Sequence, residues 1–528
     1  MSRIFIAAFA AICLLTVPLA SAANQPPAIS LPAAALTGDV AAIEQHILAG
    51  SDLNQRDDFG STALIIATVF DKPAVAAALL AAGADPALTD AQGSNPLHIA
   101  AFLGREEIVR ALLDAGAARY LRSASGATAY DYAAAPLPED EEIFSQLRAG
   151  LAPLGFRLDS GKVAAAKPEI ARMLRPSSDD LSGIDFAPVS GDDFAISTPE
   201  AEGLDPVLLA ELYREADALP RLYSVLVLKN GKLVAEKYFN EGRIDGATLI
   251  QSAAKSIFSA LVGLAQREGC LSDLDAPILG FLPELAGQIT DPRKSDITIR
   301  QVLQMRSGLP WEETDPALWK QLMAGDHLAP LRDFPLVADP GTQFNYSNFS
   351  TDLLGVIVTR ACGSALDEFA AAHLLQPLDV RFGKWEHGQD FHYPLVHLTP
   401  RTAARFAQLY LDGGRFMGRQ VIPADWVSES LADYSSDAWV TTQHLSHAGR
   451  YLRDLGYGYQ WWQASAGNHR INFAWGHGGQ FYGLVHDQNL VVVVTAYPAW
   501  LEHDSENWTH ERAHLNLAAK FISLLDGE

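Results

Sequence analysis

Gln251-Ser252-Ala253-Ala254-Lys255-Ser256-Ile257-Phe258-Ser259-Ala260-Leu261-Val262-Gly263 is the stretch around which the second half of the chain is organised. Small and apolar residues dominate it and no proline interrupts it, so it reads as the start of a buried helix. Ser252 and Lys255 stand three apart, which places them on one helical face within reach of each other. A serine hydroxyl is a weak nucleophile until a neighbouring base takes its proton. A lysine serves as that base only where burial or nearby positive charge weakens its hold on its own proton. Ile257, Phe258, Leu261 and Val262 supply a dry setting. A Ser and a Lys three apart also arise by chance, so the case for chemistry rests on two later boxes.

The second box is Pro340-Gly341-Thr342-Gln343-Phe344-Asn345-Tyr346-Ser347-Asn348. Extended backbone there would point Tyr346 and Asn348 the same way, being two apart. A phenol beside a lysine can carry a proton, and an Asn side chain can bond the lysine or a substrate amide. Taken alone, Tyr346 reads better as a core residue with its hydroxyl satisfied. The third box is Trp475-Gly476-His477-Gly478-Gly479-Gln480-Phe481, entering a strand. Glycines at a strand start let substrate backbone approach, and an edge amide there can stabilise an oxyanion; the plainer reading is a turn or bulge.

Taken together and in this order, the three boxes resemble those of the serine beta-lactamase and penicillin-binding-protein superfamily. Tyr346-Ser347-Asn348 is the second motif in the form found in class C beta-lactamases, related esterases and oligo-amide hydrolases. Ile297 to Leu309, Leu398 to Phe406, Gly413-Gly414 and Val421 to Trp426 are similar to connecting segments of that group. The resemblance covers about Ile196 to Glu528 and implies an antiparallel sheet flanked by helices, with a helical subdomain. By resemblance, Ser252 is the acylated nucleophile, and Lys255 and Tyr346 move its proton, which of them is the base being left open. Asn348 would bond substrate and lysine, and His477, Gly478, Gly479 and Gln480 would shape the substrate and oxyanion site with the Ser252 and Gln480 amides as donors. No cofactor or metal is implied. His477 stands where beta-lactamases carry a lysine that attracts a substrate carboxylate, and a histidine is mostly neutral at pH 7. This moves weight from beta-lactams and D-Ala-terminated peptides to esters or amides.

Upstream, repeats are plain. Gly50, Gly83 and Gly116 are spaced by 33, as are Gly60, Gly93 and Gly126. Ser61 to Ala67, Ser94 to Ala100 and Ala127 to Ala133 recur between them, the middle one as Ser-Asn-Pro-Leu-His-Ile-Ala. This resembles the ankyrin repeat, so the fold class expected is an all-α ankyrin solenoid followed by an α/β beta-lactamase-like domain. His98 should bond backbone in its turn and carries no functional role. The repeats are placed at 31–155, and 156–195, with Pro168, Pro176, Ser177, Ser178, Asp179, Asp180, Pro188 and Gly191, reads as an irregular linker. The hydrolase is placed at 196–528, with strands at Leu222 to Leu228, Leu233 to Phe239, Tyr457 to Trp462, Phe481 to His486 and Leu490 to Tyr497.

Arg3, the apolar run Ile4 to Val17 and the small residues Ala20-Ser21-Ala22 read as a signal peptide over 1–22, so the protein is expected to be periplasmic or secreted. No later segment is apolar enough to span a membrane. With that segment removed, Cys270 and Cys362 remain; one bridge is open to them, but the reading favours two free buried thiols. Asp+Glu outnumber Lys+Arg by 63 to 39, a formal charge of −24, which argues against nucleic acid as a partner. His387, Asp390, His392 and His397 cluster, but their spacing fits no zinc pattern. Trp311, Trp319, Trp461 and Trp462 could wall a pocket, though buried aromatics more often belong to a core. The function read from all this is hydrolysis of a small-molecule ester or amide, with the repeats binding a protein or shielding the active site. The rivals are a catalytically silent sensor on the same scaffold and a true beta-lactamase or D-Ala peptidase. Oligomeric state is left open.

Overall fold

The computed structural model describes residues 25–528 apart from 58, 135–136, 176–182, 190–192, 313–314, 325, 327, 381–382, 387–394, 439–447, 499–504 and 527–528. The expected signal segment and three members of the His/Asp cluster (His387, Asp390 and His392) lie outside the described residues. The chain divides into two compact units, one ending at Asp180 and the other beginning at Leu181.

The first unit stacks helix pairs, Leu31–Thr37 with Val40–Leu48, Ala63–Val69 with Pro73–Ala81, and Pro96–Phe102 with Glu106–Asp114. Each repeat has the same turn: Asp57 N donates to Ser61 O, Asp90 N to Ser94 O and Ser123 N to Ala127 O, all at 2.9 Å. Gly60, Gly93 and Gly126 close these turns at φ of 78°, 71° and 78°, a region that suits a residue without Cβ. At Gly93 a Cβ would also come within 2.7 Å of Ala124 in the next unit. Thr62 and Asn95 cap the helices that follow. His98 Nδ1 accepts from Asn95 N, and its Nε2 lies 2.8 Å from Leu121 O, so it joins consecutive repeats through backbone as expected. Within 156–195, read above as irregular, residues Ser160–Leu174 form a helix. Asp159 caps it by accepting from Gly161 N and Lys162 N, and Val163, Ile170 and Leu174 are buried at helical spacing. Pro168 sits inside the helix and masks that pattern in the sequence.

The second unit is built on helices α1 (Pro206–Asp217), α2 (Ala254–Arg267), α3 (Asn348–Cys362), α4 (Pro400–Leu411) and α5 (Ser505–Ser523). Its strands are β1 (Leu222–Lys229), β2 (Lys232–Tyr238), β3 (Arg453–Tyr457), β4 (Trp462–Ala466), β5 (His469–Gly476), β6 (Gln480–Val485) and β7 (Leu490–Ala496). Among the described residues these make a seven-stranded sheet in the order β2-β1-β7-β6-β5-β4-β3, antiparallel at each pairing. Its alternation is visible in β7: Val491 and Val493 join one core with α2, α3 and α4, so Val492 and Val494 point to the other face, where α1 and α5 pack. Burying a Val or Leu side chain of this kind contributes about 1.5–3 kcal/mol.

Two sequence readings are corrected in this unit. Tyr457 to Trp462 is not one strand: Tyr457 ends β3, Trp462 opens β4, and residues 458–461 connect them, with Gln460 at φ of 60° turning the chain. Cys270 and Cys362 are disulfide-bonded, with Cα atoms 5.1 Å apart, rather than free thiols. They lie 92 apart in sequence, and α2 and α3 bring them together by packing side by side.

Candidate active site

Ser252 occupies a single tight turn, Gln251–Ala253, at the entry to α2. The turn begins with strain: Gln251 holds φ of 52°, which costs a residue with a side chain about 1–3 kcal/mol. Lys255 lies one turn on, only 2% exposed, and its Nζ is 3.0 Å from Ser252 Oγ. The same Nζ is 2.6 Å from Asn348 Oδ1 and 4.9 Å from the centre of the Tyr346 ring. An amide oxygen and an aromatic face thus line Nζ where water is largely absent.

Asn348 is the first residue of α3, and Ser347 before it is extended (φ −155°, ψ 126°) and caps the helix. That one extended residue turns Tyr346 and Asn348 toward the same lysine. Tyr346 is 5% exposed, with Trp462 stacked on it at 5.8 Å and Trp311 edge-on at 6.1 Å. Of the other tryptophans, Trp461 is wholly in the core and Trp319 packs on a small cluster with Leu318 and Phe349. Behind the box stands Glu312, fully buried, which accepts from Asn348 N at 2.6 Å and Ser347 Oγ at 3.3 Å.

The third box is the hairpin turn from β5 to β6, with Gly476 opposite Gln480. A Cβ on Gly476 would fall 2.2 Å from Ile250 O and 3.1 Å from Ala253 N, so the hairpin lies directly against the Ser252 turn. The Gln480 side chain is spent on β7, its Nε2 donating to Ala496 O at 2.6 Å. Gly478 and Gly479 take φ of 85° and 98°. Glu511 of α5, 1% exposed, gathers the box: it accepts from Trp475 Nε1 at 2.8 Å and Gly478 N at 2.9 Å, and lies 2.7 Å from His477 Nδ1. His514, one turn along α5, is enclosed with Nδ1 2.9 Å from Gly478 O and Nε2 3.1 Å from Pro220 O, and burial lowers its pKa to about 4. His397, the described member of the His/Asp cluster, has Nδ1 3.3 Å from Leu395 O.

The structure therefore brings Ser252, Lys255, Tyr346 and Asn348 into one cluster and lays the His477 hairpin beside it. Glu312 and Glu511 were missed in the sequence. The only signal for either is that a carboxylate buried behind a glycine turn or a helix start needs backbone donors, and that appears only once the fold is known.

A family model described as Beta-lactamase matches residues 212–514. The chain belongs to the beta-lactamase family. A model described as Ankyrin repeats (3 copies) matches residues 31–134, so this beta-lactamase-family protein carries an ankyrin array ahead of the hydrolase fold. It is 30% identical over 312 residues to the 6-aminohexanoate-dimer hydrolase of Paenarthrobacter ureafaciens, spanning 54% of this chain and 74% of that protein. It is 29% identical over 168 residues to Protein flp of Staphylococcus aureus (strain MW2), spanning 30% of this chain and 33% of that one. Solved structures similar to it include simvastatin synthase from Aspergillus terreus, at TM-score 0.48 and 16% identity over 61% of this chain and 99% of that one. Another is the octameric penicillin-binding protein homologue from Pyrococcus abyssi, at TM-score 0.47 and 18% identity over 61% and 76%. No helix among the described residues is long and apolar enough to cross a membrane.

Proposed function

We propose that this chain is an exported serine hydrolase that cleaves an ester or amide through an acyl-enzyme on Ser252, with the ankyrin unit as a protein-binding module. The observation that carries the reading is Lys255 Nζ held at once 3.0 Å from Ser252 Oγ and 2.6 Å from Asn348 Oδ1. Lys255 in its amine form takes the Ser252 proton as Oγ attacks the substrate carbonyl carbon. Tyr346, whose ring lies against Nζ, relays that proton to the leaving alkoxide or amine as the tetrahedral intermediate collapses. The Ser252 and Gln480 amides stabilise the oxyanion, and the missing Cβ of Gly479 lets the hairpin sit against His514, whose ring would lie 2.5 Å from such an atom. A water then attacks the acyl carbon and gives its proton to the same pair, which returns it to Ser252 Oγ as the acyl C–Oγ bond breaks and the acid leaves. No step calls for a cofactor.

Support for export comes from the Cys270–Cys362 bridge, since disulfides persist in oxidising compartments. Stacked repeats present an extended surface and contain no chemistry of their own, which supports protein binding. The test is turnover of a neutral short-chain nitrophenyl ester by wild type and Ser252→Ala. The expected loss is about 10³-fold or more in kcat; equal turnover by the variant rejects the assignment.

A further inference from the structure

Glu511 is a buried carboxylate that no step of acylation uses, yet three donors of one hairpin converge on it: Trp475 Nε1, Gly478 N and His477 Nδ1, at 2.8, 2.9 and 2.7 Å. The Glu511 side chain is 2% exposed, whereas that of His477 keeps 29% of its surface, with Trp508 edge-on at 4.7 Å. His477 is thus the accessible end of an imidazole–carboxylate pair. The pair has a charge of −1 with a neutral ring and zero with a protonated one, and it never presents the lone positive charge of a lysine. His514 adds none at pH 7, because burial holds it neutral. Arg512, next along the helix, has its pKa lowered by burial, which the same carboxylate offsets only in part, and it is unchanged in each variant below.

We propose that the His477–Glu511 pair sets charge selectivity at the third box, turning away substrates with a carboxylate near the scissile bond and admitting neutral or amine-bearing ones. The proposal rests on the reading of Ser252 as the acylated serine. It gains its geometry from Gly476, whose contact with Ile250 O and Ala253 N puts the hairpin against the Ser252 turn.

The experiment compares kcat/KM at pH 7 for two 4-nitrophenyl esters, the valerate and the hemisuccinate, which differ chiefly by a terminal carboxylate. The full chain should prefer the neutral ester. Glu511→Gln removes the negative charge and should raise the hemisuccinate-to-valerate ratio by roughly five- to tenfold. His477→Lys takes the pair from −1 to zero at its accessible end and should raise that ratio as well. Losses that fall equally on both esters, with the ratio fixed in both variants, would show that Glu511 only braces the hairpin and would overturn the proposal. If Glu511→Gln does not fold, the His477→Lys ratio decides alone, a rise supporting the proposal and anything else overturning it. Fluorophosphonate labelling of the same preparations separates the two claims. A wild type that labels at Ser252 but shows an unmoved ratio defeats only the charge proposal; one that does not label defeats the acyl-serine reading, and the charge proposal with it.

Discussion

His514 shows how much a single enclosed ring can weigh. Both its nitrogens face carbonyl oxygens, and a neutral imidazole donates to only one of them. Burial still wins, lowering the pKa from 6.5 to about 4. In the unfolded chain the ring takes its proton near 6.5, so between about 6.5 and 4 the unfolded state binds the extra proton. The stability that the neutral buried ring contributes is whole above that window and falls away as pH drops through it, by about 3 kcal/mol at most. Urea midpoints at pH 7 and 4.5 should therefore lie closer together for His514→Gln than for wild type; equal separations would contradict this. At the same scale, Ser252, Lys255, Tyr346 and Asn348 were legible because each sits in a short local pattern. Glu312 and Glu511 were not, since Asn348 and His477 lie far from them in sequence and only packing makes them partners.

Elements decide how the cluster is held. α2 begins beside Ser252 and Lys255, α3 begins at Asn348, and the Cys270–Cys362 bridge fastens the far ends of the same two helices. Closing a loop of 92 residues is worth about 4–5 kcal/mol in the chain-entropy account. The protein denatured without reductant should titrate with no free thiol from these two positions, and Cys362→Ser should lower the thermal midpoint. Two reactive thiols, or an unchanged midpoint, would contradict the bridge. The bridge was beyond sequence reading because nothing in either cysteine's neighbourhood names its partner. The Tyr457 to Trp462 turn misled for another reason: its aromatics are buried as a strand's would be, and only the φ of 60° at Gln460 breaks the extension. The helix at Ser160–Leu174 was hidden by Pro168 and by the polar cluster that follows it.

For the whole molecule, the 33-residue period and the three ordered boxes made both halves legible, because each is a pattern repeated or matched at several points. What they left unread is contributed by chain outside the boxes. Val189 N donates to Glu236 Oε2, and Arg401 joins Glu236, Asp193 and Val189 O. Residues read as linker thus fasten onto the hydrolase fold near β2 and α4. The account of the molecule stands or falls on one covalent bond, between Ser252 Oγ and an acyl group. Intact-mass measurement of the full chain, acid-quenched during turnover of a short-chain nitrophenyl ester, reads that bond directly. The account predicts a single acyl adduct on wild type, on a peptide containing Ser252, and none on Ser252→Ala. An adduct of the same mass that persists in Ser252→Ala would contradict it.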